Sequence, residues 1–201
     1  MQRSLIIVDD FIDNAAELRR AALQLTYPDN EGAFPGRNSL QRINIGGISE
    51  EVSHILDEPL RPLDPPQSHA KFRITLASDV GKAKVHIDPA HWSGILYLSR
   101  PEDCRGGTEF FRHIRTGTDR APTADKDLRA HGYSSYEEMH ADIIEKDSLD
   151  DSAWEKIMEV PMRFNRLILL RPWLWHTAGP GFGDSLANGR LVYLLFFESA
   201  R

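Results

Sequence analysis

The sequence predicts a mainly β fold with added α-helix: a small β-barrel or jelly roll, preceded by helices and interrupted by a helical insertion. Three observations point there. From residue 71 onward, short apolar segments alternate with period two and are separated by turn residues. The first 70 residues instead carry two segments of helical character. Between the two groups of strands, residues 119–159 are helix-forming and acidic, with twelve acids against five bases, a net charge of −7. At 201 residues the whole, 1–201, is expected to form one domain.

Leu5–Val8 reads as a short buried strand broken by Asp9-Asp10. Asn14 and Glu17 have capping-box-like spacing, and Ala15–Leu25 has helix-forming composition with Leu18, Ala22 and Leu25 on one face. Residues 28–48, rich in Gly, Pro, Asn and Asp, read as an ordered loop region. A second short helix is expected over Glu50–Leu56, and Pro62, Pro65 and Pro66 close the helical support spanning 1–70. Strands are then expected at Phe72–Leu76, Ala83–Asp88, Gly94–Ser99, Thr108–Phe111, Arg166–Leu170 and Arg190–Phe197. The barrel thus occupies 71–118 and 160–198. Within 119–159, Ser135 with Glu138 and Ser152 with Glu155 each fit a capping box, which predicts two short helices. An insertion this long is usually a lid, a binding surface or an interface.

Composition excludes several classes. The formal charge of −6 argues against a nucleic-acid partner, which needs a basic face. The apolar run Leu191–Phe197 is far too short to span a membrane, so no membrane role is expected. The start, MQRSLIIVDD, has too short an apolar stretch for a signal-peptide core, and the single Cys104 cannot form an internal disulfide. A cytoplasmic location is the expectation.

The chemistry starts at His86-Ile87-Asp88. On a strand, residues i and i+2 share a face, so His86 and Asp88 converge while Val85 and Ile87 pack. Pro89 cannot donate to a ladder and places the pair at a rim. A solvated polar face accounts for a lone His-x-Asp just as well. The best third ligand is His176, which follows the apolar run Leu167–Leu170 and two tryptophans, just before Gly179-Pro180. Packing against Trp173 or Trp175 is its plain alternative. Two imidazoles and one carboxylate leave positions open, the set that suits non-haem Fe(II) oxygen chemistry. Arg190 opens the last strong strand and either ends in solvent or binds an anion in the barrel, where its fork matches a carboxylate. Gly106-Gly107 before Thr108–Phe111 permits a tight turn or a close backbone approach.

Taken in order, His86-x-Asp88, Ile95–Ser99, Gly106–Phe111, Phe164–Leu170, His176 and Gly189-Arg190 resemble the Fe(II)/2-oxoglutarate-dependent dioxygenase superfamily, with the nearest likeness to its prolyl-hydroxylase-like branch. The resemblance covers about residues 72–198. It implies a double-stranded β-helix (jelly roll, cupin-like) core, with His86, Asp88 and His176 as catalytic iron ligands. It further implies that Arg190 takes the distal carboxylate of the cosubstrate 2-oxoglutarate and that Tyr97 donates its hydroxyl to the same group. Hydroxylation of an amino acid, peptide or other small molecule, with release of succinate and CO2, is the implied activity. Related halogenases replace the carboxylate ligand with a small residue, so Asp88 favours hydroxylation. The acidic insertion departs from the family pattern.

The remaining candidates carry less. His91 beside Trp92 reads as a rim residue, and His113, His131 and His140 have no telling carboxylate spacing. Arg37 and Arg42 fit a solvated loop, Arg73 can project inward, and Trp173 and Trp175 fit packing. Cys104, among acids and without a base, is no nucleophile. Two other functions use the same barrel: a non-catalytic cupin-like metal or ligand binder, and a hydrolase or isomerase holding Zn(II) or Mn(II). A carboxylate cosubstrate pocket at Arg190 with Tyr97 separates the oxygenase from both.

Overall fold

The computed structural model describes residues 3–29 and 32–200. Asn30 and Glu31, part of the expected loop 28–48, lie outside the described residues, as do Met1, Gln2 and Arg201. Among the described residues ten strands and four α-helices follow one another as β1 (Leu5–Val8), α1 (Ala15–Ala22), β2 (Arg37–Asn38), α2 (Ile48–Leu56), β3 (Leu60–Pro62), β4 (Phe72–Thr75), β5 (Trp92–Tyr97) and β6 (Gly107–His113). After these come α3 (Asp125–Ala130), α4 (Tyr136–Met139), β7 (Trp154–Pro161), β8 (Leu167–Leu170), β9 (His176–Thr177) and β10 (Arg190–Ser199). No helix among the described residues is long and apolar enough to cross a membrane.

Two antiparallel sheets make the barrel. The larger has the order β1-β8-β5-β10-β4-β2, with β3 also pairing with β10; the smaller has the order β7-β6-β9. Strand β10 shows why the sequence settles this way. Its side chains alternate, so Leu191, Tyr193, Leu195 and Phe197 join the core beneath α1 and α2, among Leu18, Ala22, Val52 and Leu56. Arg190, Val192, Leu194 and Phe196 turn to the opposite face and line the barrel cavity. Each fully buried Leu or Phe in that helix-side core contributes about 1.5–3 kcal/mol relative to exposure. Inside the barrel, Tyr97, Phe110, Val160, Ile168, Leu170 and Val192 form the floor between the two sheets.

The structure corrects several expectations. Ala83–Asp88 forms no strand: its ladder contact is a single antiparallel bridge between His86 and His176. Helix α1 ends at Ala22, three residues before Leu25. Ser135 does cap α4, accepting from the Glu138 N–H, and a π-helical stretch, His140–Glu145, continues that helix. The second expected helix is absent. Asp150 rather than Ser152 caps a single 3₁₀ turn, and β7 begins at Trp154, inside the 119–159 range. As an edge strand β7 leaves Glu155, Lys156, Ile157 and Met158 exposed, so it lacks the apolar alternation that marks a strand in sequence.

Gly106 has φ +56°, and a Cβ on Gly107 would lie 1.9 Å from the Val160 carbonyl oxygen across the β6–β7 pair. The paired glycines therefore serve a close strand approach. Gly107→Ala is expected to cost about 1–3 kcal/mol through forced backbone separation, read as a lower urea midpoint.

The insertion packs as a satellite core of Leu128, Met139, Ile143 and Ile144 on Val85, Phe111, Trp154 and Trp175. Its polar anchor is fully buried His113, whose Nε2 lies 3.0 Å from Asp147 Oδ2 and Nδ1 2.9 Å from Thr116 Oγ1. Burial pushes the pKa of His113 down, against the opposing pull of Asp147, and burial does the same to His69. The unfolded chain, with histidines near about 6.5, therefore binds more protons than the native one as pH falls through that value. Stability is expected to drop between about pH 7.5 and about pH 5.5, with a smaller drop in His113→Gln, as measured by urea denaturation at both pH values.

Candidate metal and carboxylate site

His86 and Asp88 sit on the connection between β4 and β5, and His176 lies on β9. The bridge between the two segments is reciprocal: His86 N–H donates to His176 O at 2.9 Å, and His176 N–H donates to His86 O at 3.1 Å. That pairing sets the two imidazoles side by side, ring centroids 4.5 Å apart. Asp88 N–H donates to Pro172 O at 3.2 Å, which fixes the carboxylate beside them. One ligand atom from each of His86, Asp88 and His176 lies within 4.8 Å of the other two. Asp88 Oδ1 is 3.7 Å from His86 Nε2, and Oδ2 is 3.4 Å from His176 Nε2.

The tautomers follow from the backbone. His86 Nδ1 lies 2.9 Å from Lys84 O, and His176 Nδ1 lies 2.7 Å from Leu174 O. A carbonyl only accepts, so both Nδ1 atoms carry the proton and both Nε2 lone pairs face the cluster. Burial, with the neighbouring His176, pushes the pKa of His86 down to about 4, which keeps its ring neutral. At Asp88 burial acts upward but is outweighed, and the hydroxyl that Ser93 donates is among the contacts that keep the carboxyl below its ordinary value. Ser93 Oγ donates to Asp88 Oδ2 at 2.7 Å. Neutral imidazoles and an ionised carboxylate are the forms that ligate a metal.

A cavity of about 620 Å³ opens beside these residues. In its wall Arg190 is 1% exposed, and its Nε and Nη2 are buried without a hydrogen-bond partner. A buried guanidinium with orphaned donors is costly unless an anion completes it, and two of its N–H groups match a carboxylate. The residues thus fit both a divalent metal at the His-Asp-His cluster and a carboxylate at Arg190.

Other residues fall differently. Tyr97 shares the cavity-side face of β5 with Ser93 and Ile95, yet its hydroxyl lies 2.7 Å from Thr108 Oγ1 beneath the cavity floor. The guanidinium carbon of Arg190 is 5.7 Å from the Tyr97 ring centre. Arg73 projects inward and lines the cavity. His91 pairs with Glu58 at 2.9 Å, outside the cavity, and Arg37 meets Asp29 and Asp79. Arg42 bonds the His69 and Gln67 carbonyls. Trp175 is fully buried in the satellite core. Sequence reasoning missed Ser93 and Phe34, whose roles depend on contacts with residues distant in the chain. The acidic insertion contributes none of the described cavity-lining residues up to Ala153; it braces the ligand segment from behind, Val85 N–H donating to Ser148 O at 3.2 Å.

A family of unknown function, DUF6445, matches residues 1–197. The chain belongs to this family. No curated protein matches it. Among solved structures, it is similar to HygX from Streptomyces hygroscopicus, crystallised with nickel, 2-oxoglutarate and hygromycin B. That pair shares 14% identity at a TM-score of 0.58, covering 98% of this chain and 83% of the other. It is also similar to SnoK, a non-heme alpha-ketoglutarate-dependent carbocyclase from nogalamycin biosynthesis, at 13% identity and a TM-score of 0.56, covering 98% and 80%. The epimerase SnoN from the same biosynthesis gives 14% identity and a TM-score of 0.53, covering 98% and 79%. At these identities the likeness shows the fold: a cupin-like double-stranded β-helix of the 2-oxoglutarate oxygenase type.

Proposed function

We propose that this chain is an Fe(II)- and 2-oxoglutarate-dependent oxygenase that hydroxylates a C–H bond of an amino acid, peptide or other small molecule. The observation that carries the reading is the pairing of the His86, Asp88 and His176 cluster with the orphaned guanidinium of Arg190 in one cavity. A carboxylate cosubstrate held beside the metal is a requirement of the oxygenase and not of a hydrolase, an isomerase or a simple metal binder. Neighbours of the same fold that are crystallised with hygromycin B or act in nogalamycin biosynthesis support a small-molecule acceptor.

In this reading His86, Asp88 and His176 hold the iron. Bound iron with 2-oxoglutarate supplies the oxidation of a C–H bond by dioxygen, with release of succinate and CO2. The chain does the rest. The Lys84 and Leu174 carbonyls keep the two Nδ1 protons in place, so each Nε2 stays a lone-pair donor. Ser93 holds the Asp88 carboxylate through its hydroxyl. Arg190 takes the distal carboxylate of the cosubstrate from a dry wall, where a charge-assisted hydrogen bond is strongest. The Tyr97 ring lies 5.7 Å from the Arg190 guanidinium carbon, and its hydroxyl, the group expected to donate to the same carboxylate, lies 2.7 Å from Thr108 Oγ1. The apolar side chains of Val192, Leu194 and Phe196 exclude water from the reacting carbon.

The test is aerobic incubation with Fe(II), 2-oxoglutarate and a panel of amino-acid, peptide and small-molecule acceptors, read by mass spectrometry. The expected result is succinate release that depends on oxygen, with one acceptor gaining a single oxygen atom. Succinate release that is absent, or that is unchanged in His176→Ala, would contradict the proposal.

A further inference from the structure

The segment carrying His86 and Asp88 is not held in a sheet, yet its geometry must be fixed if it is to bind a metal. Ser148 braces one side of it through the Val85 backbone. The other side faces a strap, residues 33–36, that lines the cavity with Phe34 and Pro35. Both Lys82 N–H and Ala83 N–H donate to Ala33 O, at 2.7 and 2.8 Å. The Phe34 ring packs on His86, centroids 4.1 Å apart at 43°, so the imidazole is held between Phe34 and His176.

The strap is itself fastened from inside the barrel. Arg73 Nε donates to Pro35 O at 2.9 Å, Nη2 reaches Phe34 O and Pro35 O at 2.7 Å each, and Nη1 donates to Asn38 Oδ1 at 3.0 Å. Gly36 completes the fit: it has φ +86°, and a Cβ there would lie 2.4 Å from Ile74 O. A guanidinium bonded to three neutral acceptors on one short segment, with no hydrogen bond to a carboxylate, acts as a fixed fork.

We propose that Arg73 is a positioning residue for the metal site, acting through the strap and the Phe34 ring on the orientation of His86. The inference deepens the oxygenase reading and rests on its metal cluster. Lysine cannot replace this fork, because one ammonium offers no planar set of donors to three acceptors.

The test is titration of the full chain with Co(II) alone, read by the visible ligand-field spectrum, alongside the urea midpoint. Arg73→Lys and Phe34→Ala are expected to bind Co(II) about 10–100-fold more weakly than wild type, with an altered spectrum, as for residues that orient a ligand. Phe34→Leu, which keeps an apolar contact on the ring, is expected to recover most of the affinity. Affinity and spectrum matching wild type in both Arg73→Lys and Phe34→Ala overturn the inference. Failure of wild type to bind Co(II) overturns the metal cluster itself, and the inference with it, which is a separate result. Should Arg73→Lys not fold, the two Phe34 variants decide.

Discussion

Arg190→Met is expected to weaken 2-oxoglutarate binding by about 100-fold or more, while raising the urea midpoint above that of wild type. The two effects share one cause. In the free protein, two buried nitrogens of Arg190 lack partners, and each orphaned donor costs about 1–3 kcal/mol. The Tyr97 ring, 5.7 Å from the guanidinium carbon, returns only about 0.5–2 kcal/mol. Methionine of similar reach removes the buried charge and fills the space, so folding gains. A diacid then meets an apolar wall where it needs two donors, and loses about 3 kcal/mol or more. Isothermal titration with 2-oxoglutarate and urea denaturation read both halves. A variant that loses affinity and stability together would mean that Arg190 is a structural residue.

Asp88→Asn is expected to lower divalent-metal affinity by more than the about 10–100-fold typical of changes outside the ligand set. Asparagine matches the shape and can still accept from Ser93, but it removes the negative charge that His86 and His176 face at 3.7 and 3.4 Å. With two neutral imidazoles left, a divalent ion loses its one anionic ligand in a site shielded from water. Mn(II) titration followed by electron paramagnetic resonance measures the loss. Binding within a few-fold of wild type would remove Asp88 from the ligand set.

How much of this was legible in the sequence depends on range. The alternation in Arg190–Phe197 shows both faces of β10, because side-chain direction there is a local property of extended chain. The same rule put His86 and Asp88 on one side, although the segment proves to be a braced loop with a single bridge. Its bracing comes from Ala33, Ser148 and Pro172, contacts that no local window contains. Strand β7 is hidden in the sequence for the opposite reason: as an exposed edge, WEKIMEVP needs no apolar period, and its charges read as a solvated helix. Strands β2, β3 and β9, two or three residues long, are too short to show any period. The three ligand types could be read from spacing and resemblance, while Ser93, Phe34 and the latch at Arg73 are visible only once β4 and β5 lie beside β10.

The most direct measurement adds Fe(II) and then 2-oxoglutarate to the protein without oxygen and records the visible spectrum. A charge-transfer band that forms in wild type and is missing from both Asp88→Asn and Arg190→Met is the predicted result. No band in wild type, or a band equally strong in the two variants, would contradict a chelated diacid held between this His-Asp-His cluster and the guanidinium behind it.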